Sequence, residues 1–192
     1  MEFLGRVLVL GATALALEAG AGAGAGITPA SARVLLTRDQ AIAQIYGAGA
    51  RAQARTAYLT DAQVEAVKRA ARAPFDAHRV TYYEIARGDT ALGLAFVDQN
   101  VVRTQTETLL IALDPAGAIR AIEVLAWNEP DDFRPPGRWL DRARGQASAT
   151  TLEPGKSLPH LAGATLSGRA VAACGRRALA LAALVTRAEN HP

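Results

Sequence analysis

The chain has 192 residues, half of them apolar and 20% charged. That is enough apolar side chain for a real core, and it excludes a disordered chain. The net charge of +3 comes from arginines spread along the sequence, without the basic stripe that nucleic-acid binding needs. A single cysteine, Cys174, excludes an internal disulfide, a cysteine-based zinc site and c-type haem attachment.

The length suits one domain plus a targeting segment. Residues 1–6 form a short start with one basic residue, and 7–17 are almost entirely apolar. Glycine and alanine then alternate to Gly26, and Ala30-Ser31-Ala32 offers a small-residue cleavage site. This is the layout of a secretory signal peptide, so 1–32 is expected to be removed and the mature chain to be periplasmic. The apolar run falls short of the roughly 20 residues of a membrane span. An uncleaved N-terminal membrane anchor is the alternative.

The mature chain divides into an N-terminal helical segment, 33–78, and a second region, 79–188. Thr37-Arg38-Asp39-Gln40 is a capping box, so a helix starts at Arg38 and ends by Gly47-Ala48-Gly49. A second box, Thr60-Asp61-Ala62-Gln63, opens a helix to about Ala71, in which Glu65 can pair with Arg69. Strands follow at 79–86 and 92–97 around Gly88-Asp89, then at 106–113 and 118–127 around Asp114-Pro115-Ala116-Gly117. Neither register of 118–127 is purely polar, which predicts a strand covered on both faces and central in its sheet. The expected class is α+β, with an antiparallel sheet of about four strands flanked by helices.

An acidic loop, Asn128-Glu129-Pro130-Asp131-Asp132, leaves the last strand. A short helix at 138–143 is anchored by Trp139 and Leu140, and 145–159 reads as an irregular connection. A long helix then runs from Ser167 to about Arg187, with Val171, Cys174, Ala178, Leu181 and Val185 on one face. Arg169, Arg176 and Arg187 fall on other faces. Cys174 reads as a buried structural thiol, and Gly175 as the mark of a close helix contact.

The segment opening that helix is Ala162-Gly163-Ala164-Thr165-Leu166-Ser167-Gly168-Arg169. It joins a flexible glycine, small residues and two hydroxyls, with Thr165 and Ser167 as candidate N-caps. A helix N-terminus presents unpaired N–H groups and a partial positive charge, which suits an anion. Arg169 in the first turn opposes the helix dipole, and a bound anion would reverse the sign of that interaction.

Other chemistry is poorly served. His78, His160 and His191 are scattered, without metal-ligand spacing. Ser167 lacks the Gly-x-Ser-x-Gly context of a nucleophile elbow. No dinucleotide fingerprint or P-loop occurs. Glu129, Asp131 and Asp132 read as a solvated loop, and Tyr82, Tyr83, Trp127 and Trp139 as core. No catalytic residue and no metal ligand is assigned.

Gly163-Ala164-Thr165, followed by Ser167 and an apolar helix start, resembles the attachment motif of the FMN-binding domain family. That family includes the flavin-carrying subunits of sodium-pumping NADH:quinone reductases and of Rnf complexes. The likeness extends over about 80–185: a Tyr-rich strand, a glycine-containing hairpin, an Asp-x-x-Gly turn, a strand ending in Asn-Glu-Pro, a Trp-containing helix and then the motif. Ala162 stands where the family usually has Ser or Thr, and Pro159 where it usually has Asp.

The resemblance implies an exported electron-transfer protein whose FMN is esterified through its phosphate to Thr165. Gly163, Ala164, Ala162, Leu166 and Ser167 would surround the phosphate, Arg169 would add charge, and Glu129 would lie near the flavin; His160 is a further candidate neighbour of the flavin because it closely precedes the motif. It also implies two kinds of partner: a flavin transferase that installs FMN from FAD, and a membrane-bound or periplasmic redox protein. An exported binding or scaffold module of the same fold, with no flavin or with noncovalent FMN, is the alternative.

Overall fold

The computed structural model describes residues 33–190, with side chains as far as Arg187. The leader expectation falls on 1–32, outside the described residues.

Five antiparallel strands form one meander in sequence order: β1 (Arg51–Tyr58), β2 (Arg79–Arg87), β3 (Thr90–Val102), β4 (Gln105–Leu113) and β5 (Ile119–Ala126). The class is α+β, with five strands rather than about four. The additional strand, β1, falls inside 33–78, where the sequence pattern shows only helices. Its residues Arg-Ala-Gln-Ala-Arg-Thr-Ala-Tyr are mostly exposed, so it lacks the apolar alternation that marks a strand. Pairing with β2 along its whole length, Arg51 opposite Ala86 to Tyr58 opposite Arg79, creates it.

Four helices cover the sheet: α1 (Arg38–Tyr46), α2 (Asp61–Ala71), the short α3 (Gly137–Leu140) and α4 (Thr165–Asn190). Both expected capping boxes are present. The Thr37 and Thr60 hydroxyls accept from the N–H groups of Gln40 and Gln63, whose side chains reach back to the cap N–H groups. In α2 Glu65 pairs with Lys68, at 3.2 Å, rather than with Arg69. Single 3-10 turns at Asp131–Phe133 and Asp141–Ala143 flank α3.

The sheet separates two apolar layers. On one face α2 and α4 pack with α3 over Phe96, Leu109, Ile111, Leu113, Ile119 and Ile122. On the other face α1 packs Ala41, Ile42 and Tyr46 over Ile85, Ala95, Leu110, Ala112 and Leu125. β4 is the most deeply buried strand, with Leu109 to Leu113 all fully buried. β5 is not central as expected. It ends the strand order, yet both its faces are covered, Ile119 and Ile122 by the α4 layer and Leu125 by the α1 layer. The Leu125 carbonyl accepts from the Leu35 and Leu36 N–H groups, which occupy part of its outer edge. A mixed pattern therefore reports coverage of two faces, not position in the sheet.

Two details of α4 also differ from expectation. Arg176 is buried, donating to the carbonyls of Ala71 and Leu152 at 2.8 and 3.0 Å. Gly175 faces Leu152 and the Ile119 and Ile122 side chains, so its close contact is with a loop and β5 rather than a second helix.

Gly93 is the position least open to substitution. It has φ +133°, and a Cβ there would overlap the Leu113 carbonyl oxygen of the neighbouring strand. Gly93→Ala is expected to cost about 3 kcal/mol through strain and overpacking, read as a lower urea midpoint at unchanged slope.

Candidate functional site at the start of α4

The long helix begins at Thr165. The Ala164 carbonyl accepts the first intrahelical bond, from the Gly168 N–H at 3.1 Å, so Ala164 holds the N-cap position without a side-chain oxygen. Neither Thr165 nor Ser167 is the cap. Thr165 is the first helical residue and Ser167 the third. The N–H groups of Thr165, Leu166 and Ser167 precede Gly168, the first intrahelical donor, and so have no acceptor within the helix, as in any helix start. Gly163 has φ +76°, which lets the chain turn sharply into the helix.

Exposure sorts the motif. Ala162, Gly163, Thr165, Leu166 and Arg169 are exposed, whereas Ala164, Ser167 and Gly168 are buried. Leu166 keeps 51% of its surface, which is large for a leucine. Trp139 fixes the helix from below. Its ring carbons lie 3.4–3.6 Å from where a Cβ on Gly168 would stand, and its indole N–H donates to the Pro159 carbonyl at 3.0 Å.

Beneath the first turns lies a residue that the sequence reading did not select. Glu107 on β4 shares the parity of Leu109, Ile111 and Leu113 and faces α4 with them. It is 1% exposed, and neither carboxyl oxygen has a hydrogen-bond partner. Burial, with a further contribution from the Asp98 charge, pushes its carboxyl up to about 8. Opposite it in register, Asn100 donates to the Ala170 carbonyl of α4 at 3.2 Å. The Ser167 hydroxyl is also buried and unpaired. Leaving such groups unsatisfied costs about 1–3 kcal/mol each. The signal was available: a glutamate on the apolar parity of an otherwise fully buried strand.

Glu129 has a structural task. Its carboxylate accepts from the N–H groups of Thr104 and Gln105, at 2.9 and 3.0 Å, and so caps the β3–β4 turn. The Thr104 N–H, chiefly, holds it below the usual carboxylate range. Arg103 beside it stacks over the Phe133 ring, 4.5 Å from its centre. His160 turns back over Gly155, its ring 2.8–3.7 Å from where a Cβ there would stand. The structure therefore brings Asn100 and Trp139 against the first turns of α4, with Glu107 opposite Asn100 on β4, while Glu129 caps the β3–β4 turn and His160 lies against Gly155.

Cys174 is fully buried, and burial raises its thiol well above the ordinary value. It is structural. A cleft of about 640 Å³ lies elsewhere, lined by Leu94, Asp114, Leu179, Ala182 and Thr186 among others. Leu179 is about 20 Å along α4 from Thr165.

What the α4 start can do follows from these positions. An exposed hydroxyl, helix N–H groups and Arg169 together suit covalent or ionic attachment of a phosphate. Leu166 supplies apolar surface beside it. No family model, curated protein or solved structure matches this chain.

Proposed function

We propose that this chain is an exported electron-transfer protein that carries FMN esterified to Thr165. The observation that supports the reading best is the exposed Thr165 hydroxyl at the first position of a 26-residue helix, two residues after the positive-φ Gly163. The residues present fit the phosphate end of FMN. Thr165 would bear the ester, the first N–H groups of α4 would hold the remaining phosphate oxygens, and Arg169 would balance their charge. Gly163 and Ala162, both exposed, leave room for a modifying enzyme to approach. When bound, FMN supplies the redox chemistry, and the protein sets its position and electrostatics.

Attachment requires a separate flavin transferase with FAD as donor. The Thr165 Oγ–phosphorus bond forms, the FAD pyrophosphate bond breaks, AMP leaves and the hydroxyl proton is released. The electron partner would be a membrane-bound or periplasmic redox protein. A phosphoester suits an exported carrier because dissociated FMN would be lost outside the cytoplasm.

A second reading, a binding or scaffold module of the same fold without covalent flavin, draws on Ala162, Pro159 and the position of the 640 Å³ cleft away from Thr165. Co-expression with a flavin transferase separates the two. The expected result is a yellow protein heavier by one FMN less one water, with both features lost in Thr165→Ala. A colourless protein of unmodified mass would rule out attachment.

A further inference from the structure

The cleft of about 640 Å³ lies between the β2–β3 hairpin, the β4–β5 turn and the second half of α4. Two further clefts hold only about 260 and 240 Å³. Small side chains create the space. Ala86 stands opposite Ala91 in the hairpin, and α4 contributes Ala182 and Ala183, where a packed core would carry larger residues. Leu94 and Leu179 remain as apolar walls, and Leu94 is only partly buried by the α4 layer. This volume and lining suit a small organic molecule.

The charged groups of the lining set the sign of that molecule. They are three carboxylates, Glu84, Asp89 and Asp114, and one guanidinium, Arg187. Glu84 is already paired, with Arg55 at 2.8 Å. Asp114 spends Oδ1 on the Ala116 and Ala118 N–H groups, at 2.9 Å each, which fixes its carboxylate at the cleft wall. Among the described residues its Oδ2 has no partner, and the Asp89 and Arg187 side chains make no hydrogen bond or ion pair. Asp114 is half-buried, whereas Asp89 and Arg187 are exposed. A carboxylate oxygen held beside apolar walls is incompletely solvated, and it gains most from a cation that donates to it. An anion would meet two uncommitted carboxylates and a single arginine.

We propose that this cleft binds a small organic ammonium ion, its apolar body against Leu94, Leu179 and the alanines and its N–H groups donating to Asp114 Oδ2. Binding is noncovalent and independent of the flavin reading, since Leu179 lies about 20 Å along α4 from Thr165.

The test uses the unloaded full-length protein and three probes with one body: naphthylethylammonium, naphthylethanol and naphthylpropanoate. Equilibrium dialysis at neutral pH measures each affinity, and backbone amide shifts locate each probe. The ammonium is expected to bind about tenfold more tightly than the alcohol, the worth of making one hydrogen bond charge-assisted. The propanoate should bind more weakly than either. Asp114→Asn keeps the Oδ1 acceptor of the turn and removes the charge, so it should erase the preference for the ammonium and leave alcohol binding unchanged. Ala183→Trp, at an exposed position of the lining, should block all three probes.

Should Asp114→Asn not fold, Arg187→Glu at the exposed rim serves instead; it should strengthen ammonium binding and weaken propanoate binding, and an unchanged ratio counts against the proposal. Equal affinities for the three probes, a preference for the propanoate, shifts away from the cleft or an absence of binding would each overturn it. Binding that appears only on dilution of a dimer, or once residues 188–192 are removed, would give the cleft to a second copy or to the chain's own end, and overturns it too. A protein that binds the ammonium but accepts no FMN defeats the flavin reading alone.

Discussion

Glu107→Gln is expected to abolish a loss of stability that wild type suffers between about pH 5 and pH 8. The folded carboxyl titrates at about 8 against an ordinary 4.5. Below pH 4.5 both folded and unfolded chains hold the proton, so the group has no influence on the pH dependence. Between 4.5 and 8 the unfolded chain releases it and the folded chain does not, and stability falls by roughly 1.4 kcal/mol per pH unit. Above 8 both states are ionised and the penalty is constant. The full window corresponds to about 3–5 kcal/mol at most.

Glutamine keeps the shape and stays neutral, so the variant should match wild type near pH 4 and exceed it increasingly toward pH 9. Urea denaturation at unit pH intervals reads this directly. Parallel curves for the two proteins across pH 5 to 9 would mean that Glu107 is solvated or paired after all. A penalty of this size is large beside the total stability of an ordinary domain.

How far the sequence announces this architecture depends on which physical signal each element uses. α1 and α2 were legible because a capping box is local chemistry: Thr37 with Gln40 and Thr60 with Gln63 satisfy N–H groups within four residues. The two hairpins were legible from their turns, where Asp114 accepts from Ala116 and Ala118 as the turn chemistry requires. β1 was not legible, because its exposed, arginine-bearing residues become a strand only by pairing with β2.

At the candidate site the division is similar. Thr165 and Gly163 follow from the small-residue motif, and their placement at the helix start is a property of neighbouring residues. Glu107 could not be found by proximity in sequence. Its relevance arises from the β3–β4 register that sets it opposite Asn100, and from α4 lying over both. His160 precedes the motif closely, yet its ring is spent on Gly155. Nearness along the chain was a poor guide to the shape of the site, and parity within a buried strand would have been a better one.

Arg177→Met is expected to destabilise the fold by about 3–5 kcal/mol, the range for breaking one side of a buried ion pair. The Arg177 side chain is 8% exposed and meets Asp98 at 2.7 Å. It also donates to the Pro74 carbonyl at 3.2 Å, and so joins α4 both to β3 and to the chain beyond α2. Methionine fills comparable volume but leaves the Asp98 charge, 25% exposed, without its cation. Pairing the change with Asp98→Asn should recover part of the loss, because the uncompensated charge is then absent as well.

The same substitution bears on Glu107. With Arg177 gone, the unscreened Asp98 anion acts more strongly on the buried carboxyl and raises it further, while Asp98→Asn alone lowers it. The pH window over which stability falls should therefore extend upward in Arg177→Met and contract in Asp98→Asn. Urea titrations of both variants at several pH values measure this. If the window stays fixed in both, Asp98 does not act on Glu107 through the interior, and burial alone sets its proton affinity.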